Sequence, residues 1–173
     1  MQTADYWKLK LDLLPHPEGG FYKETYKASE VISKDSLPAR FGVDRSISTA
    51  IYFLLEQGDI SVFHKIKSDE LWHFYAGQTL EVFCIDLDGK LTVYRLGNNY
   101  DADDSFQVVV LSNCWFASKP ATDSTYSLMG CTVAPGFDFE DFEMANREEL
   151  IAIYPQHAEI ITALTHNTYP AKQ

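Results

Sequence analysis

A histidine and a glutamate six positions apart, His64 and Glu70, have the residue types and spacing that most clearly favour chemistry in this sequence. Gly58 precedes the histidine and Gly77 follows the glutamate, so two residues that form turns readily enclose the pair. Imidazole and carboxylate are ligands for a divalent metal such as Mn, Fe, Ni or Zn. A histidine in apolar, aromatic surroundings can also act as a general base, with Glu70 orienting it. Both readings remain open at this point.

Short strands are expected to position this pair. A helix with Thr3 as its N-cap begins the chain, and two helices close it, one starting at Asn146 and one at Pro155. Many short strands at this spacing are typical of a β-sandwich or barrel rather than of βαβ units. The sequence therefore predicts a mainly β single domain over residues 1–173, with strands at 21–27, 47–55, 60–66, 71–75, 79–85, 90–95, 106–111 and 126–133.

Strand alternation indicates which side chains share the interior with Glu70. In a regular strand, residues of the same parity lie on one face. Trp72 and Phe74 are thus predicted to point inward with Glu70, and His73 outward. On this prediction His73 does not complete a metal site with the other two.

Composition and charge exclude several classes of function. The 173 residues carry 14 basic and 25 acidic side chains, a net charge of −11, which argues against nucleic acid and anionic membranes as partners. The N-terminus lacks the apolar stretch of a signal peptide or a spanning helix. Three widely spaced cysteines do not form a disulfide framework, and a reducing cytoplasm is the predicted location. Cys84 and Cys131 lie in apolar strands and are expected to be buried and inert.

The segment from Gly58 to Gly77 closely resembles the first signature of the cupin superfamily, G-x5-H-x-H-x3-E-x6-G, except that Ile66 stands at the second histidine position. The second signature, P-x-G-x2-H-x3-N, aligns with Leu111, Asn113 and Phe116 in place of its proline, glycine and histidine. An apolar side chain cannot coordinate a cation. A three-histidine-plus-glutamate metal centre is therefore not expected, and a metal bound by His64 and Glu70 alone would be weakly held.

Four longer runs extend the resemblance to nearly the whole chain. They look like the uncharacterised small-cupin family once labelled a domain of unknown function, and they lie at 16–26, 48–55, 63–77 and 131–143. This resemblance implies a double-stranded β-helix, the cupin jelly-roll barrel, with short terminal helices. It also implies a subunit that is frequently dimeric and close in architecture to the deoxysugar epimerases of the dTDP-rhamnose pathway. Residues 21–26 are the candidate edge or exchanged strand of a homodimer.

Epimerases of that architecture abstract a proton next to a carbonyl with a buried histidine and return one through a tyrosine. By resemblance His64 is the candidate base, Glu70 its partner, and Tyr52 or Tyr126 the tyrosine, with Tyr75 and Tyr94 as further choices. The resemblance itself assigns no activity to the family.

Candidate ligand-binding residues are aromatic or belong to the HPEGG segment. Aromatic rings can stack on a sugar or nucleobase, and a Gly-Gly pair lets the backbone approach a neighbour or ligand closely. The candidates are Trp72, Phe74, Trp115, Phe116, His16 and Glu18. The cations considered for a phosphate or carboxylate are Lys23, Arg45, Lys65 and Arg95.

Three functions follow from these observations. The first is a small-molecule-binding cupin that isomerises or epimerises a sugar-like or nucleotide-linked substrate with His64 as base. The second is a non-catalytic barrel that only holds a small ligand. The third is a metal-dependent, dioxygenase-type enzyme with a divalent cofactor.

Overall fold

The computed structural model describes residues 2–166. Its thirteen strands are β1 (Leu14–Pro15), β2 (Phe21–Lys27), β3 (Val31–Ile32), β4 (Arg45–Ser46), β5 (Thr49–Glu56), β6 (Ser61–Lys65), β7 (Asp69–Gly77), β8 (Leu80–Ile85), β9 (Leu91–Leu96), β10 (Gln107–Val110), β11 (Trp115–Pro120), β12 (Tyr126–Ala134) and β13 (Glu143–Met144). Its helices are α1 (Ala4–Lys10), α2 (Arg147–Ile153) and α3 (Ala158–Ala163). Apart from β11 and the two-residue strands, every strand overlaps a predicted run, and only seven residues of these strands lie outside the runs.

Two antiparallel sheets make up the barrel. One has six strands in the order β1-β2-β5-β12-β7-β10, and the other has five in the order β13-β6-β11-β8-β9. Neighbours in space are distant in sequence, as β12 between β5 and β7 illustrates. This arrangement confirms the predicted mainly β jelly roll with short terminal helices.

The core forms where the two sheets face each other. Phe53 and Met129 of the six-stranded sheet pack there with Val82 and Phe116 of the five-stranded sheet. A second buried cluster lies between the outer face of the five-stranded sheet and the C-terminal helices, and Phe63 belongs to it. The five-stranded sheet is therefore covered on both faces, which is why four of the five residues of β6 are buried.

The helices begin where the sequence predicts. The Thr3 hydroxyl accepts a hydrogen bond from the Tyr6 backbone N–H at 3.2 Å, and the Asn146 side chain accepts one from the Glu149 backbone N–H at 3.1 Å. Pro155 begins a 3-10 turn rather than an α-helix, and α3 follows it. Capping residues predict the start of a helix because their side chains satisfy backbone N–H groups that have no partner inside the helix.

Strands β11 and β7 differ from the sequence prediction. Strand β11 was not predicted, because its residues WFASKP lack a clean alternation. In β7 the predicted parity holds as far as Phe74, after which the register against β12 shifts by one residue at Tyr75. The single-domain prediction covered residues 1–173, of which residue 1 and residues 167–173 lie outside the described residues. Among the helices described, none has the length and apolarity needed to cross a membrane.

Candidate functional site

A cavity of about 260 Å³ opens between the two sheets at one end of the barrel. Two histidines, three glutamates, a threonine and a cysteine line it, and the other lining residues are aromatic or aliphatic. The lining residues are His16, Glu18, Tyr22, Glu24, Thr49, Ile51, His64, Ile66, Glu70, Cys131, Val133, Phe137, Phe139 and Phe142. The cavity therefore gathers His64, Glu70, His16 and Glu18, four of the predicted site residues, from three separate segments.

The closest contact between two of these titratable groups joins Glu18 and His64. Glu18 Oε2 lies 3.2 Å from His64 Nε2, and both side chains are buried. The Ser61 hydroxyl donates a hydrogen bond to the other Glu18 oxygen, Oε1, at 2.9 Å. His64 Nδ1 lies 2.7 Å from the Val62 carbonyl oxygen, which can only accept, so Nδ1 carries a hydrogen. The imidazole is thereby fixed in one orientation, with Nε2 toward the carboxyl group.

The turn at residues 16–20 brings Glu18 to strand β6. The Val62 backbone N–H donates to the Glu18 carbonyl oxygen at 3.1 Å, which docks the turn on the strand. Gly19 has φ +117°, and a Cβ on it would lie 2.0 Å from the Ile60 carbonyl oxygen. No side chain fits at that position without moving the turn. The close backbone approach predicted for the Gly-Gly pair is confirmed.

The Glu18–His64 contact requires one shared proton. With Nδ1–H bound to Val62, a neutral His64 presents a lone pair at Nε2, and an ionised Glu18 would present another. Burial lowers the pKa of His64 to about 4. Burial also raises the pKa of Glu18, although His16 and the Ser61 hydroxyl oppose the rise. His64 is thus neutral at pH 7, and its Nε2 lone pair needs a donor, so the shared proton lies on Glu18 and the Glu18 O–H donates to Nε2.

Glu70 lies on strand β7 and is the second acid of the cavity. Burial raises the pKa of Glu70 to about 8, and the neighbouring Glu18 adds to the rise. The Cys131 thiol and the Trp72 indole partly offset it. Glu70 is thus mostly protonated at pH 7 and changes state just above neutrality, where a group that exchanges protons with a substrate works best.

His16 completes the polar end of the cavity in a neutral form. Its Nδ1 accepts a hydrogen bond from the Glu18 backbone N–H at 3.3 Å, so this nitrogen carries no hydrogen. Burial lowers the pKa of His16, and the pull of Glu18 only partly opposes that. Its ring stands perpendicular to the ring of Tyr22, with centroids 4.5 Å apart. Burial therefore disfavours the charged form of His16, Glu18, His64 and Glu70, the buried polar groups of the cavity.

Three phenylalanines from the segment after β12 form the aromatic wall, defined here as Phe137, Phe139 and Phe142. Their planes meet at 80°, 74° and 69°, with centroids 5.1 to 6.3 Å apart. The Phe142 ring stacks on His64 at 5.1 Å. The wall thus joins the apolar and the titratable parts of the cavity.

A buried ion pair holds this wall in place. Arg45 donates two hydrogen bonds to the Asp141 carboxylate, at 2.7 and 2.6 Å, and both side chains are almost completely buried. The two residues are 96 positions apart in sequence. Fork-shaped pairing of this kind fixes orientation as well as distance.

The partner of His64 differs from the prediction. The sequence favoured Glu70 as the carboxylate orienting His64, but Glu18 makes the contact. Alternation correctly predicted that Glu70 faces inward, yet strand spacing contains no information about a turn that folds over the barrel end. His73 points outward as predicted, and its ring nitrogens lie 3.0 Å from the Gln107 amide and 3.3 Å from the Thr132 hydroxyl.

The predicted tyrosines do not reach the cavity. The Tyr126 hydroxyl accepts from the Trp7 indole and donates to the Gln2 carbonyl, which places it under α1. Tyr52 packs beside the same cluster and against Tyr75. On β12 and β5 both residues have the parity opposite to the cavity-lining positions, which is the physical reason for the correction. Tyr22 is the tyrosine that lines the cavity.

The four predicted aromatic ligand residues are packing residues. Trp72 and Phe74 contribute to the core between the sheets. Phe116 is buried against the His64 ring, with centroids 4.1 Å apart, and stands behind it rather than at the cavity surface. Trp115 faces the other side of β11, where its ring lies under the Lys65 ammonium at 4.4 Å. Trp72 and Phe74 point into the barrel as predicted, and so does Phe116. Their rings pack in the core and do not line the cavity.

The predicted cations are all engaged by carboxylates. Lys23 pairs with Asp12, Arg45 with Asp141, Lys65 with Glu143 and Arg95 with Asp104. Among the described lining residues of the cavity, none is Lys or Arg. A phosphate or carboxylate would therefore enter a cavity that offers it no cation.

The side chains do not fit the metal centre that the superfamily signatures describe. Within residues 2–166, no three His, Cys, Asp or Glu side chains are arranged to share one ion. Ile66 and Phe116 stand at two of the four ligand positions. His64 is committed through both ring nitrogens, to Val62 and to Glu18. The donor set therefore offers no support for the metal-dependent alternative.

Sequence reasoning missed the aromatic wall and Tyr22 as lining residues. A signal was present, since residues 137–142 alternate phenylalanines with acidic residues in a stretch without strand character. Aromatic side chains in such an irregular segment have no sheet to pack into and must cover something else. No comparable pattern in the sequence indicates that Glu24 and Thr49 line the cavity.

Comparison with known proteins places this geometry in a family. The family model described as Cupin superfamily (DUF985), Cupin_5, matches residues 5–145. An uncharacterized protein of Saccharomyces cerevisiae, YML079W, is 29% identical over 158 residues, which cover 86% of this chain and 76% of the yeast protein.

Two solved structures are similar over nearly the whole chain. Protein SO0799 of Shewanella oneidensis has 38% identity and a TM-score of 0.87, covering 97% of this chain and 100% of the other. A hypothetical protein from Leishmania major has 31% identity and a TM-score of 0.86, covering 96% and 100%.

Proposed function

The chain belongs to the Cupin_5 (DUF985) family of the cupin superfamily, and we propose that its function resides in the cavity inside the barrel. The cavity binds an unphosphorylated, sugar-like small molecule and isomerises it by proton transfer. The observation that carries the proposal is the shared proton of Glu18 and His64, held next to Glu70 in one cavity. Two acids with different environments and one fixed imidazole are the components that enolisation needs.

The reaction divides between the two acids. Ionised Glu70 takes the proton from the carbon next to a carbonyl, and the Glu18 carboxyl donates its proton to the carbonyl oxygen, giving an enediol. His64 Nε2 stabilises Glu18 in the acid form before the transfer and holds the carboxylate in place after it. Glu70 then returns its proton to the former carbonyl carbon, and the Glu18 carboxylate takes the proton from the other enediol hydroxyl, which becomes the new carbonyl. The isomer is formed, and both acids regain their starting states.

This division revises the role of His64. With a pKa of about 4 and Nε2 facing Glu18, the imidazole is a poor acceptor for a substrate proton. It acts through Glu18 and is a positioning residue. Glu70 has a pKa of about 8 and is the better base at neutral to mildly alkaline pH.

Size and charge narrow the substrate. A cavity of about 260 Å³ lies near the lower end of the roughly 300–1,000 Å³ typical of ligand sites, which suits a molecule of monosaccharide size. The absence of Lys and Arg from its described lining disfavours the nucleotide-linked substrates considered from the sequence. Hydroxyl groups of a sugar can instead bond to the neutral carboxyl and imidazole groups.

Hydrogen–deuterium exchange tests the proposal without knowledge of the product. The protein is incubated in D₂O with a panel of unphosphorylated aldoses, ketoses and 2-amino sugars, and loss of the proton next to the carbonyl is followed by NMR. We expect exchange with the wild type on at least one sugar. The Glu70→Gln and Glu18→Gln variants are expected to lose about 10²- to 10⁴-fold in rate, the usual contribution of a positioned acid or base.

The pH profile and a matched variant make this test specific. Exchange should rise about tenfold per pH unit and level off near pH 8, because only ionised Glu70 accepts the proton. His73→Gln removes an imidazole on the outer face of the same strand and should leave the rate unchanged. A wild type that binds sugars without exchanging the proton, or a Glu70→Gln variant of full activity, contradicts catalysis; the first result supports the non-catalytic barrel.

Homodimer formation is part of the same proposal. Strand β1 covers only Phe21 and Tyr22, so in the described part of the chain residues 23–27 of β2 have no strand neighbour on that side. Tyr26 on this edge is 56% exposed. Unpaired edges of this kind are readily satisfied by a second copy. Light scattering at micromolar concentration should give twice the chain mass, and a monomer there would contradict the dimer.

A further inference from the structure

The aromatic wall has the geometry of a corner. Phe137, Phe139 and Phe142 meet at 69° to 80°, and all three border the cavity. Tyr22 adds a fourth ring to the lining. The negative faces of aromatic rings attract an organic cation, and several rings around one space are the usual means of recognising an ammonium group.

The cavity also contains three carboxyl groups, which pair with a cation when they are ionised. Glu24 lies at the exposed rim, while Glu18 and Glu70 are buried deeper. The basic side chains that hold the wall, Arg45 and Lys67, both contact Asp141, and Arg45 also lies 3.8 Å from Glu140, so two carboxylates balance the two cations. A positive ligand would therefore find carboxyl groups and ring faces in the cavity and no uncompensated cation in its described lining.

We infer that the ligand of this cavity carries a protonated amine or quaternary ammonium group, seated in the aromatic wall with Glu24 at its open side. The inference rests on the proposed function in using the same cavity, and it narrows the sugar-like substrate to an amino sugar or a similar aminocarbonyl compound. The ammonium end binds at the wall, and the carbonyl end reaches Glu18 and Glu70.

Binding of such a cation changes the protonation state of Glu70. An ammonium group within a few ångströms favours the ionised form of a carboxyl group. The bound substrate thus converts Glu70 from the acid to the base form, and one proton leaves the cavity as the cation enters. The other titratable groups that line this space are Tyr22, Glu24, Glu18, His16, His64 and Cys131. Burial disfavours the charged form of the last four.

Calorimetry with two molecules of the same shape tests the inference. Choline carries the positive charge, and 3,3-dimethylbutan-1-ol replaces its nitrogen by carbon. We expect choline to bind at least about tenfold more tightly than the alcohol. The observed enthalpy at pH 7 should depend on the ionisation enthalpy of the buffer, because a proton is released. Phe139→Leu should weaken choline binding about 3- to 30-fold and leave binding of the alcohol nearly unchanged.

Controls separate recognition from folding and from catalysis. Phe139 is 56% exposed, so its replacement spares the core, and Phe106→Leu changes a 50% exposed ring that does not line the cavity and should have no effect. Equal affinity for the two molecules, no choline binding at about 10 mM, or equal weakening of both by Phe139→Leu would overturn the inference. Choline has no carbonyl, so these outcomes do not depend on the exchange reaction, and failure of exchange would leave them unchanged.

Discussion

Strand β7 presents Glu70 and Trp72 to the interior and His73 and Tyr75 to the outer surface. The outer histidine contacts neutral groups, the amide of Gln107 and the hydroxyl of Thr132, where water can also reach. The inner glutamate is 8% exposed, and burial raises its pKa to about 8. Burial on the inner face therefore gives Glu70 its raised pKa, whereas His73 on the outer face lies within reach of water.

The largest expected difference between the two faces is in the pH dependence of stability. Glu70 has a folded pKa of about 8 against an ordinary 4.5, so its stabilising contribution is complete below pH 4.5 and is lost as the pH rises to 8. At about 1.4 kcal/mol per pH unit this amounts to about 5 kcal/mol. Urea unfolding at fixed protein concentration measures the free energy of unfolding of wild type and of Glu70→Gln. The difference between the two free energies should change by about 5 kcal/mol between pH 4.5 and pH 8.

His64 sharpens this prediction because its sign is opposite. Its folded pKa of about 4 lies below the ordinary 6.5, so stability is lost as the pH falls from 6.5 to 4, by about 3 kcal/mol. His64→Gln should remove that loss. Parallel curves for wild type and Glu70→Gln would refute the burial argument.

Truncating the aromatic residues of the two faces should give the next largest effect. Trp72→Ala removes a fully buried indole and is expected to cost about 3–5 kcal/mol of unfolding free energy. Tyr75→Ala removes a ring that is 52% exposed and should cost about 1 kcal/mol. Thermal and urea unfolding measure both, and similar losses would contradict the assignment of faces.

The smallest expected effect concerns Ser61, whose hydroxyl donates to Glu18. Ser61→Ala should destabilise the protein by about 1 kcal/mol, since it leaves a buried acceptor without its donor. The pKa of Glu18 should rise further, because that hydrogen bond lowers it. Carbon NMR of the glutamate carboxyl groups measures the change. Thr25→Ala, which removes an exposed hydroxyl bonded to the Ala50 carbonyl, is the matched control and should move neither quantity.

Much of the fold could be predicted because local patterns determine it. The alternation in β7 predicted the inward position of Glu70, and the capping oxygens of Thr3 and Asn146 marked two helix starts. Strand β11 escaped prediction because it is buried on both faces, and such a strand lacks the polar–apolar alternation of a half-exposed one.

The site was harder to predict because its parts come from segments far apart in sequence. His64 and Glu70 could be identified by their spacing along two strands that follow each other in sequence and lie in opposite sheets. The contact between Glu18 and His64 depends on how a turn crosses the barrel end, and no local periodicity describes that path. Tyr126 was a reasonable candidate by type, yet its hydroxyl is satisfied by Trp7 and Gln2 on the far side of its sheet.

The turn that carries Glu18 has a further consequence for how mutations act on this protein. Gly19 has no functional group, but its hydrogen occupies space next to the Ile60 carbonyl that a methyl group cannot share. Any replacement lifts the turn and separates Glu18 from His64 while every ionisable residue stays in the chain. The contact between Glu18 and His64 therefore depends on Gly19, a residue that has no side chain to react.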